Sequence, residues 1–415
     1  MKITNIRLRQ LTGTMEVVGP FMEERLVMPL DVYEEFRLQG PPDRGNQIDD
    51  THLQMSQVFV QIETDEGVSG ISGPTMPGGT AFHVWQMRDF LIGRDPLATE
   101  FLWDIMHRKS VHGRQGEPMM AISLIDNALW DLKGKWFKQS VSTLIGGGGR
   151  GSMTAYASML GYATQDMGLV KERALEMQSR GYKAQKWFFR HGPMSGPAGF
   201  KKNVELAVTL RDTLGDDDDI MLDCWQSMDV NYVVKLAEAI EDVRPRWLEE
   251  VAMPDRIDSY RKIREATNIP ISGAEHEYTR WGFKRFIEAE ALDIIQPDLN
   301  WAGGLSEVLK ISALATAYDL ITICHQGVSP PGMAWSSAQS PIHTPYVEML
   351  VKHARMSYFF DANGGPNFSD GELTVSKHHG LGYDIDESKI ESQRDIEYST
   401  QEQNICPVGT SSYGS

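Results

Sequence analysis

From Gly151 onward the chain settles into short apolar strands alternating with amphipathic helices, and it keeps that texture for about 200 residues. Candidate strands are residues 153–159, 182–188, 220–224, 246–250, 270–274, 292–296 and 320–324. Helical spacing of apolar residues fits between them, for example at 200–214, 230–242, 258–267, 280–290 and 304–318. Strands joined through helices lie parallel, because each crossover returns the chain to its starting end. Two α/β architectures absorb such a run, a closed barrel or an open doubly wound sheet. No Gly-x-Gly-x-x-Gly follows the first strand, which argues against a dinucleotide-binding sheet.

The first part of the chain has a different, α+β texture. Residues 2–9 and 56–63 read as strands, and Asp65, Glu66 and Gly67 supply a hairpin turn. Residues 13–55 are rich in charge, Pro and Gly; so long a loop is expected to do something, such as close over a site. In residues 119–137, Ile122, Ile125, Leu129 and Leu132 share one helical face. The glycines at 146–149 and 151 lack the Gly-Lys-Ser/Thr ending of a phosphate loop, so they are expected to form a turn between domains. Beyond about residue 365 the chain is turn-rich, and its polar tail after about 395 is expected to be poorly ordered.

Composition removes several classes of function. With 40 Lys+Arg against 57 Asp+Glu the net charge is -17, so a phosphate backbone is an unfavourable partner and no nucleic acid is expected. A small anion is compatible, since a bound divalent cation reverses the field locally. Cys224, Cys324 and Cys406 form neither a paired nor a metal-finger spacing, which fits a reducing cytosol. The N-terminal residues lack an apolar signal core, and no apolar run approaches the roughly 20 residues that span a bilayer. A cytoplasmic protein with no membrane partner is expected.

The chemistry lies at the strand tips. Asp223, Glu249, Glu275, Asp298, His325 and Glu348 recur 26, 26, 23, 27 and 23 residues apart, about one βα unit each time. In a barrel the C-terminal strand ends converge on one mouth, so these groups would share one small volume. Three gathered carboxylates raise one another's pKa unless a cation compensates. All-oxygen ligation by Asp223, Glu249 and Glu275 suits Mg²⁺, which would bind a substrate carboxylate and stabilise an enolate. His325 would remove the proton α to that carboxylate, with Asp298 orienting its ring. Taken singly, an acid at a strand tip is commonly a helix N-cap and a lone histidine a structural one. Their joint register favours a site. Glu250 stands beside Glu249, and either could face the mouth.

At these residues the chain resembles the enolase superfamily, in its mandelate racemase-like branch. The resemblance runs through residues 125–135 (IDNALWDLKGK), 221–232 (MLDCWQSMDVNY), 247–250 (WLEE), 272–276 (SGAEH), 296–304 (QPDLNWAGG) and 325–327 (HQG). It covers most of residues 120–350 and looks most like L-rhamnonate dehydratases and their near relatives. It implies a (β/α)7β TIM-like barrel with an α+β N-terminal capping domain. The expected division is residues 1–135 for the cap, 150–360 for the barrel and 361–415 for a segment returning to the cap. It also implies Mg²⁺ on Asp223, Glu249 and Glu275, His325 paired with Asp298 as general base, and Glu348 near substrate on the last barrel strand. A homo-oligomer acting on a small-molecule sugar acid is expected.

Many members of the branch carry Lys-x-Lys on the second barrel strand; here Lys186, Trp187 and Phe188 leave out the second lysine. Two-base racemisation is therefore disfavoured. Lys186 is open to three readings: proton transfer, a substrate contact, or a salt bridge at the mouth. His191 is the other candidate base. His276 is read as a contact to substrate hydroxyls or as a structural support for Glu275. Arg25, Arg37 and Arg44 in the capping loops would grip distal hydroxyls or be solvated charges, and Trp335 would line the pocket or pack. The expected reaction is dehydration of an L-rhamnonate-like C5 or C6 aldonate. Its rivals are a racemase or epimerase and a non-catalytic sugar-acid or metal binder.

Overall fold

The computed structural model describes residues 1–41, 47–75 and 78–398. The chain begins with β1 (Ile3–Glu16), a one-turn α1 (Glu34–Arg37), a short β2 (Gln47–Asp49), β3 (His52–Thr64) and β4 (Ser69–Thr75). β1 and β3 pair antiparallel from Ile3↔Thr64 to Glu16↔His52, so both are longer than the sequence pattern indicates. The extension of β1 passes through Gly13, where a Cβ would collide with the Lys389 carbonyl. The residue that weakens the strand signal thus admits the C-terminal segment against the sheet. The turn at residues 65–67 joins β3 to β4 as expected. The long loop contains α1 and β2 rather than one irregular stretch.

Three helices cover this sheet and a fourth leads onward: α2 (Gly79–Leu91), α3 (Thr99–Lys109), α4 (Glu117–Phe137) and the short α5 (Val141–Leu144). α4 is more than an apolar face. Ser123, Asp126, Asn127 and Asp131 follow one another at i, i+3, i+4 and i+8, a single helical stripe, and all four are fully buried. Buried polar groups need partners, and here the partners are backbone groups remote in sequence. Ser123 accepts the Gly303 N–H at 2.9 Å and Asn127 accepts the Leu305 N–H at 3.0 Å. Asp126 accepts the Ser306 N–H and hydroxyl at 2.9 and 2.7 Å. Asp131 accepts the N–H groups of Ile71 at 2.9 Å and Leu381 at 2.8 Å, with Lys135 2.9 Å away.

The barrel follows as β5 (Ser152–Ser158), α6 (Met167–Ser179), β6 (Ala184–Phe188), α7 (Gly196–Leu214), β7 (Asp219–Asp223), α8 (Val230–Ala239), β8 (Trp247–Glu249) and α9 (Ile257–Glu265). It continues through β9 (Ile271–Gly273), α10 (Thr279–Glu288), β10 (Ile294–Ile295), α11 (Gly304–Thr316), β11 (Ile321–Thr322), α12 (Pro330–Ser337), β12 (Val347–Leu350) and α13 (Val351–Ser357). β5 to β11 lie side by side in sequence order, and β12 returns to pair in parallel with β5. Between β11 and β12 the link is local rather than a ladder: the Thr322 N–H donates to His343 at 2.8 Å and the Val328 N–H to Glu348 at 3.0 Å. This is a TIM-like barrel with seven helices between eight strands, beneath an α+β cap. Tyr156, Ala184, Met221, Trp247, Ile294 and Ile323 fill its interior below the mouth.

The C-terminal segment forms the hairpin β13 (Asn367–Ser369) and β14 (Glu372–Thr374) on β5, then β15 (Ser392–Asp395), which pairs with β1 of the cap. The tail from residue 399, with Cys406, lies outside the described residues. Among the described residues no helix is long and apolar enough to cross a membrane.

Replacing Asp131 with alanine strands two buried N–H groups and leaves the Lys135 ammonium with Asp384 alone. A loss of about 3 kcal/mol is expected. It would show as a lower urea midpoint with an unchanged slope; an unmoved midpoint would mean that the stripe does not hold the lobes together.

Candidate functional site

The strand tips turn off sharply. Asp223 and Glu249 end their strands, and Trp225, Gln226, Glu250, Ala274 and Gln326 just beyond or beside the predicted residues have φ between 38° and 74°. Non-glycine residues adopt this left-handed region at a cost, and such strain gathers at functional sites. Here it swings the chain away from the mouth while the acids stay inside. Asp298 and His325 face each other in an isolated parallel bridge between neighbouring strands.

All six residues of the strand-tip ladder reach the mouth, in two adjoining groups. In the first, the buried Lys186 ammonium lies 3.1 Å from Asp223 Oδ2 and 2.9 Å from Glu348 Oε1, and closer still to Glu249 Oε1. The second oxygen of Glu249 accepts the Trp247 indole N–H and the Gln296 amide, each at 2.8 Å. In the second group, His325 Nδ1 is 2.8 Å from Asp298 Oδ2 and its Nε2 is 3.7 Å from Glu275 Oε2. Glu275 also lies 3.6 Å from His276.

Burial sets the electrostatics. Burial, with the charges of Glu249 and Glu275, pushes the Asp223 carboxyl well above its usual range despite Lys186. Burial and Glu250 push Glu275 up to about 7, against the pull of His325 and His276. Glu348 goes the other way, down to about 2: burial opposes it, but Lys186, His325 and the Gln326 N–H prevail. Burial alone would lower His325; Glu275, the Asp298 hydrogen bond and Glu348 outweigh it and raise the ring to about 10. Lys186 is likewise held charged, its burial offset by Glu249 and Glu348. That is the setting of an ion-paired ammonium, not of a free base.

His276 belongs to a frame that the strand-tip spacing did not reveal. Its Nδ1 is 3.0 Å from Glu250 Oε2 and 2.8 Å from the Gln226 amide, and its ring lies between Trp225 and Trp301 at 6.1 and 5.4 Å. Trp301 also packs on His325, 4.8 Å between ring centres. Glu250 therefore orients His276, its other oxygen taking the Ala274 N–H at 3.0 Å. The doubled acid in WLEE was the one available signal for Glu250; the two tryptophans gave none.

The other candidates lie further out. His191 bonds Gln165 at 2.8 Å, and burial together with Arg190 pushes it down to about 4. Arg37 is half-buried and donates to the Asp31 carbonyl at 2.9 Å. Arg25 is neither a solvated charge nor turned toward a ligand: it is buried, ion-paired with Asp31 at 2.8 Å and bonded to the carbonyls of Phe36, Arg37 and Gln39. Arg44 lies outside the described residues. The pocket-lining expectation for Trp335 is corrected: it is fully buried among core side chains, its indole N–H 3.3 Å from Ser312 on α11. An apolar helix after the His325 turn must pack on its neighbours, and Trp335 is part of that packing.

The donors fit a hard divalent cation. Asp223, Glu249 and Glu275 offer only oxygens, and a single ammonium, Lys186, is shared among Asp223, Glu249 and Glu348. Among the described residues the ligand atoms that lie within 4.8 Å of one another are those of Glu250, Glu275 and His276, not the set Asp223, Glu249 and Glu275. Glu250 gives its oxygens to His276 and to the Ala274 N–H, the bonds of a frame. Glu249 is engaged at both oxygens too, and would have to release Lys186 from Oε1 to take a cation.

A capped barrel with acids and a His–Asp pair at its mouth defines a class, and comparison places the chain within it. Residues 47–146 match the family described as mandelate racemase / muconate lactonizing enzyme, N-terminal domain, and residues 169–389 match enolase C-terminal domain-like. The chain belongs to the enolase superfamily. It is 30% identical over 363 residues to the L-rhamnonate dehydratase of Saccharopolyspora erythraea, covering 85% of this chain and 87% of that one. Its structure is similar to rhamnonate dehydratase from Gibberella zeae complexed with Mg, with TM-score 0.78 and 30% identity over 94% of this chain and 95% of that one. It is also similar to the 3,6-anhydro-D-galactonate cycloisomerase from Zobellia galactanivorans, with TM-score 0.74 and 27% identity over 94% and 100% of the two chains.

The His325 pKa, raised from 6.5 to about 10, implies a pH signature. A group raised on folding adds stability that is complete below its unfolded value and lost as pH climbs through the folded one. The stability of metal-free wild type relative to His325→Asn should therefore shrink between pH 6.5 and about 10. Urea midpoints across that range check it; parallel curves would mean that His325 is not held charged.

Proposed function

We propose that this chain is a Mg²⁺-dependent hydro-lyase that converts an L-rhamnonate-like C5 or C6 aldonate into a 2-keto-3-deoxy sugar acid. The observation that carries the reading is the His325–Asp298 pair at 2.8 Å, set directly beside buried carboxylates able to hold a cation. Relatedness to L-rhamnonate dehydratase supports the substrate class.

Asp223, Glu249 and Glu275 would hold Mg²⁺, which when bound supplies a Lewis acid for the substrate carboxylate. Asp298 accepts a hydrogen bond from the His325 Nδ1–H and so leaves Nε2 as the proton acceptor for C2–H. Glu275 is the largest charge holding that ring protonated, so whatever neutralises Glu275 returns His325 toward its basic form. The proton taken from C2 then goes to the departing 3-hydroxyl, which leaves as water, and the enol product becomes the ketone. His276, fixed through Nδ1, offers its other nitrogen to a substrate hydroxyl, and Glu348 lies at the same mouth. Arg37 and His191 are assigned to the distal end of the substrate. We take the protein to be a cytoplasmic homo-oligomer, divided at residues 1–135, 150–360 and 361–415.

Phe188 argues for one base rather than two. It follows Lys186 by two residues on β6, on the same strand face, with the ammonium 5.4 Å from its ring. Epimerisation needs a proton acceptor on each side of C2, and a phenyl ring is none.

Screening mono- and diacid sugars should find at least one aldonate that yields a 2-keto product. Against that substrate His325→Asn should still bind Mg²⁺ yet exchange the C2 proton about 10³-fold more slowly. Exchange at the wild-type rate in D₂O would remove His325 as the base. C2 deuteration without keto product in wild type would replace dehydration by epimerisation.

A further inference from the structure

The Lys186 ammonium pairs with Asp223 and Glu249, two of the three proposed cation ligands. It is 1% exposed and ion-paired to Asp223, Glu249 and Glu348 at once. Among the described residues no other lysine or arginine makes an ion pair with any of the three. These acids are not all on one side of it. Asp223 and Glu249 end β7 and β8, which follow β6 in one direction round the barrel. Glu348 is on β12, reached in the other direction across β5. Ser158 on β5 is level with Lys186 in the β5–β6 register, and its buried hydroxyl has no hydrogen-bond partner. The ammonium therefore has acceptors on the side away from the cation ligands.

We propose that Lys186 is a built-in counter-ion that competes with the divalent cation. In the metal-free protein it holds Asp223 and Glu249 together; when the cation binds, it withdraws toward Glu348 and Ser158. Cation affinity is then set by displacement of an ammonium. This rests on the reading of Asp223, Glu249 and Glu275 as ligands. Lys186 is thereby a positioning residue, and its effect is read in binding rather than turnover.

The test is isothermal titration of the full chain with magnesium chloride alone, for wild type, Lys186→Met, Glu348→Gln and Asp223→Asn. Deleting a like charge a few ångströms from the ligands should tighten Mg²⁺ by about ten-fold or more. Glu348→Gln removes the place of retreat and should weaken Mg²⁺, the opposite sign. Lys186→Met should also unfold at a lower temperature without metal and gain more from added Mg²⁺ than wild type. If Lys186→Met does not fold, Lys186→Gln takes its place in the titration, with the same tightening expected. Weakened binding by Asp223→Asn, with unchanged or weaker binding by Lys186→Met or unchanged binding by Glu348→Gln, overturns the competition while leaving the ligands in place. Asp223→Asn binding like wild type overturns the ligand reading itself, and the competition with it.

Discussion

The buried polar stripe of α4 decides how the parts of this molecule meet. Ser123, Asp126 and Asn127 are spent on the N–H groups of residues 303, 305 and 306, at the start of α11. That segment follows directly on Asp298. A helix start has N–H groups with no partner inside the helix, and acceptors from another helix fix its position as no apolar contact could. Gly304 makes the approach possible, since a Cβ there would strike the Asp126 carboxylate. Five positions along, Asp131 binds β4 and the returning C-terminal segment. One helix therefore ties cap, barrel and C-terminus together, and it does so beside the strand tip that orients the histidine.

Given that frame, the mouth is a problem in charge. Asp223, Glu249, Glu275, Asp298 and Glu348 are all nearly or fully buried there, with Lys186 and His325 as the closest cations. Removing ions from water costs several kcal/mol each unless partners return it. The shifts follow from where the partners fall. Burial, helped by neighbouring acids, drives Asp223 and Glu275 toward protonation, whereas Lys186, His325 and the Gln326 N–H hold Glu348 ionised against the same burial. An additional positive charge would relieve those two acids more than any other group at the mouth. They are two of the three carboxylates assigned to the cation.

Much of this was legible in the sequence because barrel topology turns spacing into proximity. Acids 26 residues apart on successive βα units have to converge, and Asp298 and His325 met as adjacent strand tips must. What was not legible depends on contacts that no periodicity encodes. The full length of β1 was hidden by Gly13, whose missing side chain makes sense only with Lys389 against it. Arg25 reads as a surface charge until the loop folds back and offers it three carbonyls. Trp335 sits in a Pro-rich stretch that reads as loop but forms a helix packed into the core. Glu250 and Glu249 are indistinguishable as letters; only the left-handed turn at Glu250 sends one to the mouth's interior and the other to His276.

Side-chain direction on β6 limits the chemistry that the superfamily scaffold carries here. Strand alternation directs Ala184, Lys186 and Phe188 to one face of β6, and Ala184 is in the barrel interior. Lys186 is the deeper of the two functional positions and is tied into the carboxylates; Phe188, nearer the mouth, carries no proton acceptor. A base one turn of the pleat higher would have faced the substrate, free of those acids. In its place the chain has an aromatic ring, which leaves His325 as the base in the reading proposed above. A site so arranged supports removal and return of a proton on one face, the requirement of a dehydration that uses a single histidine twice.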